Sequence, residues 1–162
     1  VSFSLDGKFL ASASYDTVKI YSISGYNFEL IKTLNDHRNW VNSVSFSQDG
    51  KFLASASEDY TVKIYTTSES NFELIKTLND HSFWVKSLKF SPNSNFLTST
   101  SYDNIVNIYS ISDTNFYFLK NIKNHSSIVF LVNFSPDSRF LTSVSYNNIE
   151  IYSISVFHFE VY

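Results

Sequence analysis

The chain repeats itself, and that constrains its fold more than any other feature. The stretch Val44 to Ser87 reads VSFSQDGKFLASASEDYTVKIYTTSESNFELIKTLNDHSFWVKS. Residues 1–43 before it read VSFSLDGKFLASASYDTVKIYSISGYNFELIKTLNDHRNWVNS, and Leu88–Leu131 and Val132–Tyr162 follow with more drift. Phe3, Phe46, Phe90 and Phe134 recur every 43 or 44 residues, and His37, His81 and His125 every 44. A fixed period in the low forties marks a repeat architecture, in which one small unit cannot bury its apolar faces alone and neighbours must stack. Four units are expected, roughly 1–43, 44–87, 88–131 and 132–162.

Each unit offers four short runs of strand composition bounded by turn residues. In the second unit these are Val41–Ser47, Phe52–Ser57, Thr61–Tyr65 and Asn71–Leu78. A slip in apolar spacing between Val41 and Val44 predicts a bulge near Asn42 and Ser43. The small Ala and Ser residues of FLASAS suit a strand covered on both faces. The fourth run mixes Phe72, Leu74 and Ile75 with Glu73 and Lys76, as an edge strand does. Turns are expected at Gln48-Asp49-Gly50, at Glu58-Asp59-Tyr60 and at Ser68–Ser70. With Gly 3 and Pro 2, Asp, Asn and Ser must make most of the turns. No segment longer than about eight residues shows helical periodicity, so the chain reads as all-β. Short connections favour antiparallel neighbours, and stacking four-stranded meanders around an axis gives a β-propeller.

The resemblance this pattern carries is to the WD-repeat (WD40) family, over essentially the whole chain. The family's Gly-His pair is matched by Asp36-His37, Asp80-His81 and Asn124-His125. Its serine and aspartate are matched by Ser12/Asp16, Ser55/Asp59 and Ser99/Asp103, while the fourth unit has Ser143 with Asn147. Its Trp-Asp pair is replaced throughout: Tyr21, Tyr65, Tyr109 and Tyr152 stand for the tryptophan, and Ser22, Thr66, Ser110 and Ser153 for the aspartate. The resemblance implies that His, Ser, Asp and the strand aromatic form a buried structural hydrogen-bonded chain within each blade. Each Asp is read as bonding the His that follows it in the same unit. Asp59 would then bond His81, and the fourth blade, with Asn147 and no following His, would be the least stable. Propellers of this family usually close with seven or eight blades, so four imply an open arc or part of a larger propeller. The chain starts inside a first strand, and its last run, Phe157–Tyr162, is an outer strand. Further blades from the same or another chain are expected to complete it, and a closed four-bladed ring is the alternative.

Composition and motifs exclude several chemistries. The chain has no cysteine, so no disulfide framework, thiol nucleophile or thiolate metal site. A net charge of −3 without a Lys/Arg run lacks the field of a nucleic-acid binder. No apolar run is long enough for a membrane span. No G-x-S-x-G, P-loop, H-E-x-x-H or G-x-G-x-x-G occurs, so no catalytic residue, metal or cofactor is expected. Asn124-His125-Ser126 and Asn133-Phe134-Ser135 match the glycosylation sequon by chance on this reading. No secretory signal is seen, and a cytoplasmic location is expected.

What varies between the units points to a binding surface. In the family, contact residues on the narrow end lie three and five residues after the His and just before the turn Asp. These positions are Trp40 and Asn42, Trp84 and Lys86, Ile128 and Phe130, with Tyr15, Glu58, Tyr102 and Tyr146 from the second loop. They either take a peptide or partner loop or pack against neighbouring blades. The expected function is a non-catalytic scaffold for protein–protein interactions. The alternative is an accessory propeller within a larger enzyme or regulatory polypeptide, such as a kinase or ubiquitin-ligase component. Phosphoinositide recognition would need paired arginines, and Arg38 and Arg139 stand far apart in sequence.

Overall fold

The computed structural model describes residues 1–68, 71–154 and 159–161, and these form four antiparallel four-stranded sheets. The first contains β1 (Ser2–Phe3), β2 (Phe9–Ala13), β3 (Val18–Ser24) and β4 (Asn27–Leu34). The second contains β5 (Val41–Phe46), β6 (Phe52–Ser57), β7 (Val62–Thr66) and β8 (Leu74–Leu78). The third runs β9 (Val85–Phe90), β10 (Phe96–Ser101), β11 (Val106–Ser112) and β12 (Asn115–Ile122). The fourth runs β13 (Val129–Phe134), β14 (Phe140–Ser145), β15 (Ile149–Ile154) and β16 (Phe159–Val161). Every sheet is a meander in chain order, and no α-helix occurs among the described residues. The three middle sheet boundaries fall about three residues earlier than the repeat boundaries, because β5, β9 and β13 open at Val41, Val85 and Val129.

The predicted bulge is present. The register of β5 on β6 shifts between Val41 and Ser43, and β9–β10 and β13–β14 shift at the equivalent place. A second irregularity, which apolar spacing did not reveal, lies between the third and outer strands at Ile20/Tyr21, Ile64/Tyr65 and Ile108/Tyr109. The expected run Asn71–Leu78 shortens to Leu74–Leu78. Phe72 adopts φ 50°, and its ring turns inward against Phe9 at 5.4 Å and Phe46 at 6.4 Å. Core burial of one ring thus overrides three residues of ladder. The Ser68–Ser70 turn lies partly outside the described residues, as does the Phe157–Tyr162 run.

The first turn of each unit is built by its own side chains. Ser4, Ser47, Ser91 and Ser135 each donate a hydroxyl hydrogen bond of 2.6–2.7 Å to Asp6, Asp49, Asn93 and Asp137. Each serine also accepts the backbone N–H of the next strand's Phe at 2.9 Å. The turn needs a left-handed residue, supplied by Gly7 and Gly50 in two units. Ser94 and Ser138 take that conformation in the others, and each hydroxyl accepts a backbone N–H of the preceding sheet, from Asp49 and Asn93, at 3.0 Å.

The core lies between sheets. Phe9, Ala11, Val18, Ile20 and Leu34 of the first sheet pack on Val44, Phe46, Leu53, Tyr65 and Phe72 of the second. Phe52, Ala54, Ala56, Val62 and Ile64 of the second pack on Leu88, Phe90, Leu97, Tyr109 and Phe116 of the third. Val106, Ile108 and Ile122 of the third meet Val132, Phe134, Leu141 and Tyr152 of the fourth. β6 is buried at all six positions, which explains its Ala and Ser content: larger side chains would hold the neighbouring sheets apart. Each sheet thus has a forward face of Phe, small, Val and Ile residues and a rear face of Phe, Leu and Tyr. The inner strands β1, β5, β9 and β13 follow one another in contact, and the arc does not close.

Candidate functional site

Two groups of polar and aromatic side chains gather at the end of the sheets that carries the loops before β5, β9 and β13. The first is a set of buried ties. His37 Nδ1 lies 2.8 Å from Asp59 Oδ2, and its Nε2 lies 2.6 Å from Ser55 Oγ. His81 makes the same pair of contacts with Asp103 at 2.9 Å and Ser99 at 2.8 Å. A carboxylate only accepts, so Nδ1 carries the hydrogen that is donated to it. The aspartates are further held by backbone N–H groups of Arg38 and Thr61 in the second sheet, and of Ser82 and Ile105 in the third. Each tie fastens an incoming loop to the β6–β7 or β10–β11 turn of the sheet that follows it.

Each His therefore serves the sheet after it. Asp59 bonds His37, not His81, and the sheet left without a histidine among the described residues is the first, not the fourth. There Asp16 is exposed, while Ser12 and Tyr21 are half-buried. In the fourth sheet His125 Nδ1 contacts Asn148 Oδ1 at 3.0 Å, and Nε2 contacts Ser143 Oγ at 2.5 Å. Asn147, expected to fill this place, donates instead to Ser126 Oγ at 3.2 Å. The cause is a turn one residue shorter: Ser145 N reaches Asn148 O, whereas Ser57 N and Ser101 N reach across four residues to Thr61 O and Ile105 O. The longer turns need a left-handed residue, which Tyr60 and Asn104 provide.

The strand tyrosines behave unequally. Tyr65, Tyr109 and Tyr152 are fully buried on rear faces. The Tyr109 hydroxyl donates to Asp80 Oδ2 at 3.1 Å, and Ser143 Oγ donates to the Tyr152 hydroxyl at 3.4 Å. The Tyr65 hydroxyl is enclosed without a formed hydrogen bond, with Ser55 and Asp36 as its polar neighbours. Burial pushes all three phenols up, and nearby Asp36 and Asp80 push Tyr65 and Tyr109 further. They stay neutral at physiological pH.

Burial opposes ionisation of Asp59 and Asp103, but the hydrogen bonds and charge of His37 and His81 outweigh it. Thr61 adds to the effect at Asp59, and the net result holds both carboxyls below the ordinary 3.8. A carboxyl depressed in the folded state adds stability in full above its unfolded value, and that stability disappears as pH falls through the folded one. The urea midpoint is therefore expected to hold from neutral pH to about pH 5 and to fall steadily below pH 4. The Asp59→Asn and Asp103→Asn variants should each show a shallower acid slope. Unaltered slopes in both would show that these carboxylates carry no share.

The second group is aromatic and lies outward of the ties. Trp40 and Tyr15, both 53% exposed, meet edge to face at 5.2 Å. Half-buried Trp84 and Tyr102 lie 5.6 Å apart, and Phe130 and Tyr146 lie 5.3 Å apart. Lys86 Nζ sits over the Tyr102 ring at 5.0 Å and the Trp84 ring at 5.9 Å. It also pairs with Glu58 at 3.1 Å and donates to Asn42 Oδ1 at 3.3 Å, while Asn42 Nδ2 donates to Val85 O. Glu58 and Asn42 belong to the second sheet and Lys86 to the third, so this polar cluster bridges two sheets. Ile128 is half-buried beside them in sequence order, ahead of Phe130. Two residues outside the expected contact set extend the surface: Phe83 stacks on Tyr60 at 5.8 Å and on Tyr102 at 6.5 Å. Phe83 occupies a position held by Asn39 and Ser127 in the neighbouring units, and that change of type was the available signal.

Among the described residues, no group of three or more His, Cys, Asp and Glu side chains is placed to hold a metal ion. Stacked meander sheets, the second, third and fourth each tied by a His–Ser–carboxylate or His–Ser–amide set, define a propeller-type repeat protein. The WD domain, G-beta repeat model matches residues 1–22, 28–66, 72–110 and 116–153, and the chain belongs to that WD40 family. Comparison with curated protein sequences returns no match. WD40 repeats generally mediate protein–protein interactions, and such domains are typically non-catalytic.

Proposed function

We propose that this chain is a non-catalytic interaction module that takes an extended peptide or a partner's loop on its Trp40/Trp84 end. The observation that carries this reading is the continuous set Tyr60, Phe83, Trp84, Tyr102 and Lys86. Its rings are partly exposed, mutually stacked and held at a sheet junction by Glu58 and Asn42. Rings fixed in place bury large area at small entropic cost, which is the property of binding anchors. The His ties beneath hold the loops that present them, so binding requires little rearrangement. Lys86, already neutralised by Glu58, would orient a ligand more than attract it.

The test uses peptides selected on this chain from a random display library. Trp84→Ala is expected to weaken their binding about 30-fold, the scale of an interface hot spot. Tyr26→Ala, on the outer hairpin away from this end, should leave affinity unchanged. Equal affinity for the wild type, Trp84→Ala and Trp40→Ala would remove this surface from consideration.

A further inference from the structure

Lys86 occupies a cation site that the chain assembles from two sheets. Its ammonium lies over the Tyr102 ring at 5.0 Å and the Trp84 ring at 5.9 Å, with Glu58 Oε1 at 3.1 Å and Asn42 Oδ1 at 3.3 Å. Two ring faces, a carboxylate and an amide oxygen turn negative potential toward one point, and such a set attracts a cation strongly where water is scarce. The Glu58 side chain is 14% exposed and that of Lys86 23%. The neighbouring junctions do without the pair. Where the second and third sheets contribute Glu58 and Lys86, the first and second have Tyr15 and Asn42, and the third and fourth have Tyr102 and Phe130. Both of those junctions form on apolar packing, so sheet stacking does not require an ion pair here.

Resting on the peptide-binding reading of this end, we infer that the site exchanges Lys86 for the guanidinium of an arginine in the bound peptide. A ligand that covers the Trp84 and Tyr102 faces must displace the ammonium lying over them. Glu58 then loses its partner where little water reaches it, and an apolar anchor would leave that carboxylate unpaired. A cationic anchor does not. Lys86 can leave without any movement of β9, because a flexible four-carbon stem separates its ammonium from the strand. Outside the site it regains hydration and rotamer freedom. A guanidinium suits the place better than the ammonium does: its plane stacks on a ring, its fork of donors reaches a carboxylate and an amide oxygen together, and it is more weakly hydrated. The displaced Lys86 stays at the rim, beside the same peptide.

The probes are acetyl-Gly-Arg-Gly-amide and its citrulline counterpart, which keeps the shape and lacks the charge, each titrated by NMR on the indole N–H signal of Trp84. The arginine peptide is expected to bind the wild type about 3-fold tighter than the citrulline peptide. In Lys86→Met, where Glu58 stands without a partner before the ligand arrives, the ratio should rise to about 30-fold. In Glu58→Gln it should fall to about one. The wild-type ratio needs no variant: equal affinities, or no movement of the Trp84 signal with the arginine peptide at about 10 mM, overturn the inference. So does a ratio in Lys86→Met no higher than in the wild type. If these ratios fail while Trp84→Ala still weakens the peptides selected from the library, the cation exchange alone falls. If Trp84→Ala leaves those peptides unaffected as well, the peptide-binding reading falls with it.

Discussion

Replacing His81 by Ala is expected to destabilise the chain by roughly 2–3 kcal/mol, the worth of a buried hydrogen bond to a charged group, read as a drop in the urea midpoint at pH 7. The imidazole contacts Asp103 and Ser99 together, and the Asp103 side chain is only 4% exposed. Its removal leaves a buried carboxylate with backbone donors from Ser82 and Ile105 but without the imidazole hydrogen bond. His37→Ala should cost a similar amount, because Asp59 is held in the same way. His125→Ala should cost only about 1 kcal/mol, since its partner Asn148 is neutral. The order of the three losses is the informative result. Equal costs for His81 and His125 would show that the charge of the partner contributes nothing.

Phe52→Ala should cost a further class of energy, roughly 3–5 kcal/mol, through the cavity it opens between the second and third sheets. Phe52 is almost completely buried and meets Phe116 edge to face at 5.1 Å. The adjacent Ala54 and Ala56 are too small to fill the gap, and the strands on either side are fixed by their own ladders. Because the core lies between sheets rather than within one, the loss falls on the coupling of neighbours. Urea unfolding should therefore become broader as well as earlier. An unchanged midpoint would mean that the sheets do not derive their stability from face-to-face packing.

The repeat, the all-β meanders and the bulge at Asn42 and Ser43 were legible because period and side-chain alternation carry them directly. The partner of each histidine was not. Asp59 stands 22 residues after His37 and 22 before His81, so spacing alone permits either pairing. Only the three-dimensional path of the loop before β5 decides it. Asn148 was hidden by a deletion of one residue in the β14–β15 turn, which moves the functional amide one place along the chain. Phe72 was read as a strand residue because its neighbours alternate, yet burial of its ring against Phe9 and Phe46 broke the strand. The aromatic end was legible in part: Trp84, Tyr102, Lys86 and Glu58 were marked by position, whereas Phe83 and Tyr60 join them only through stacking.

The most direct measurement is hydrogen exchange of the chain with and without a peptide selected on it. Bound peptide is expected to slow exchange in segments 38–42, 58–61 and 82–86 and around Tyr102, at the aromatic end. The Ser-x-Asp and Ser-x-Asn turns of the opposite end, near residues 4–8, 47–51, 91–95 and 135–139, should exchange at unchanged rates. Protection confined to those turns, with the Trp40 and Trp84 loops unaffected, would contradict the assignment of the aromatic end as the binding surface.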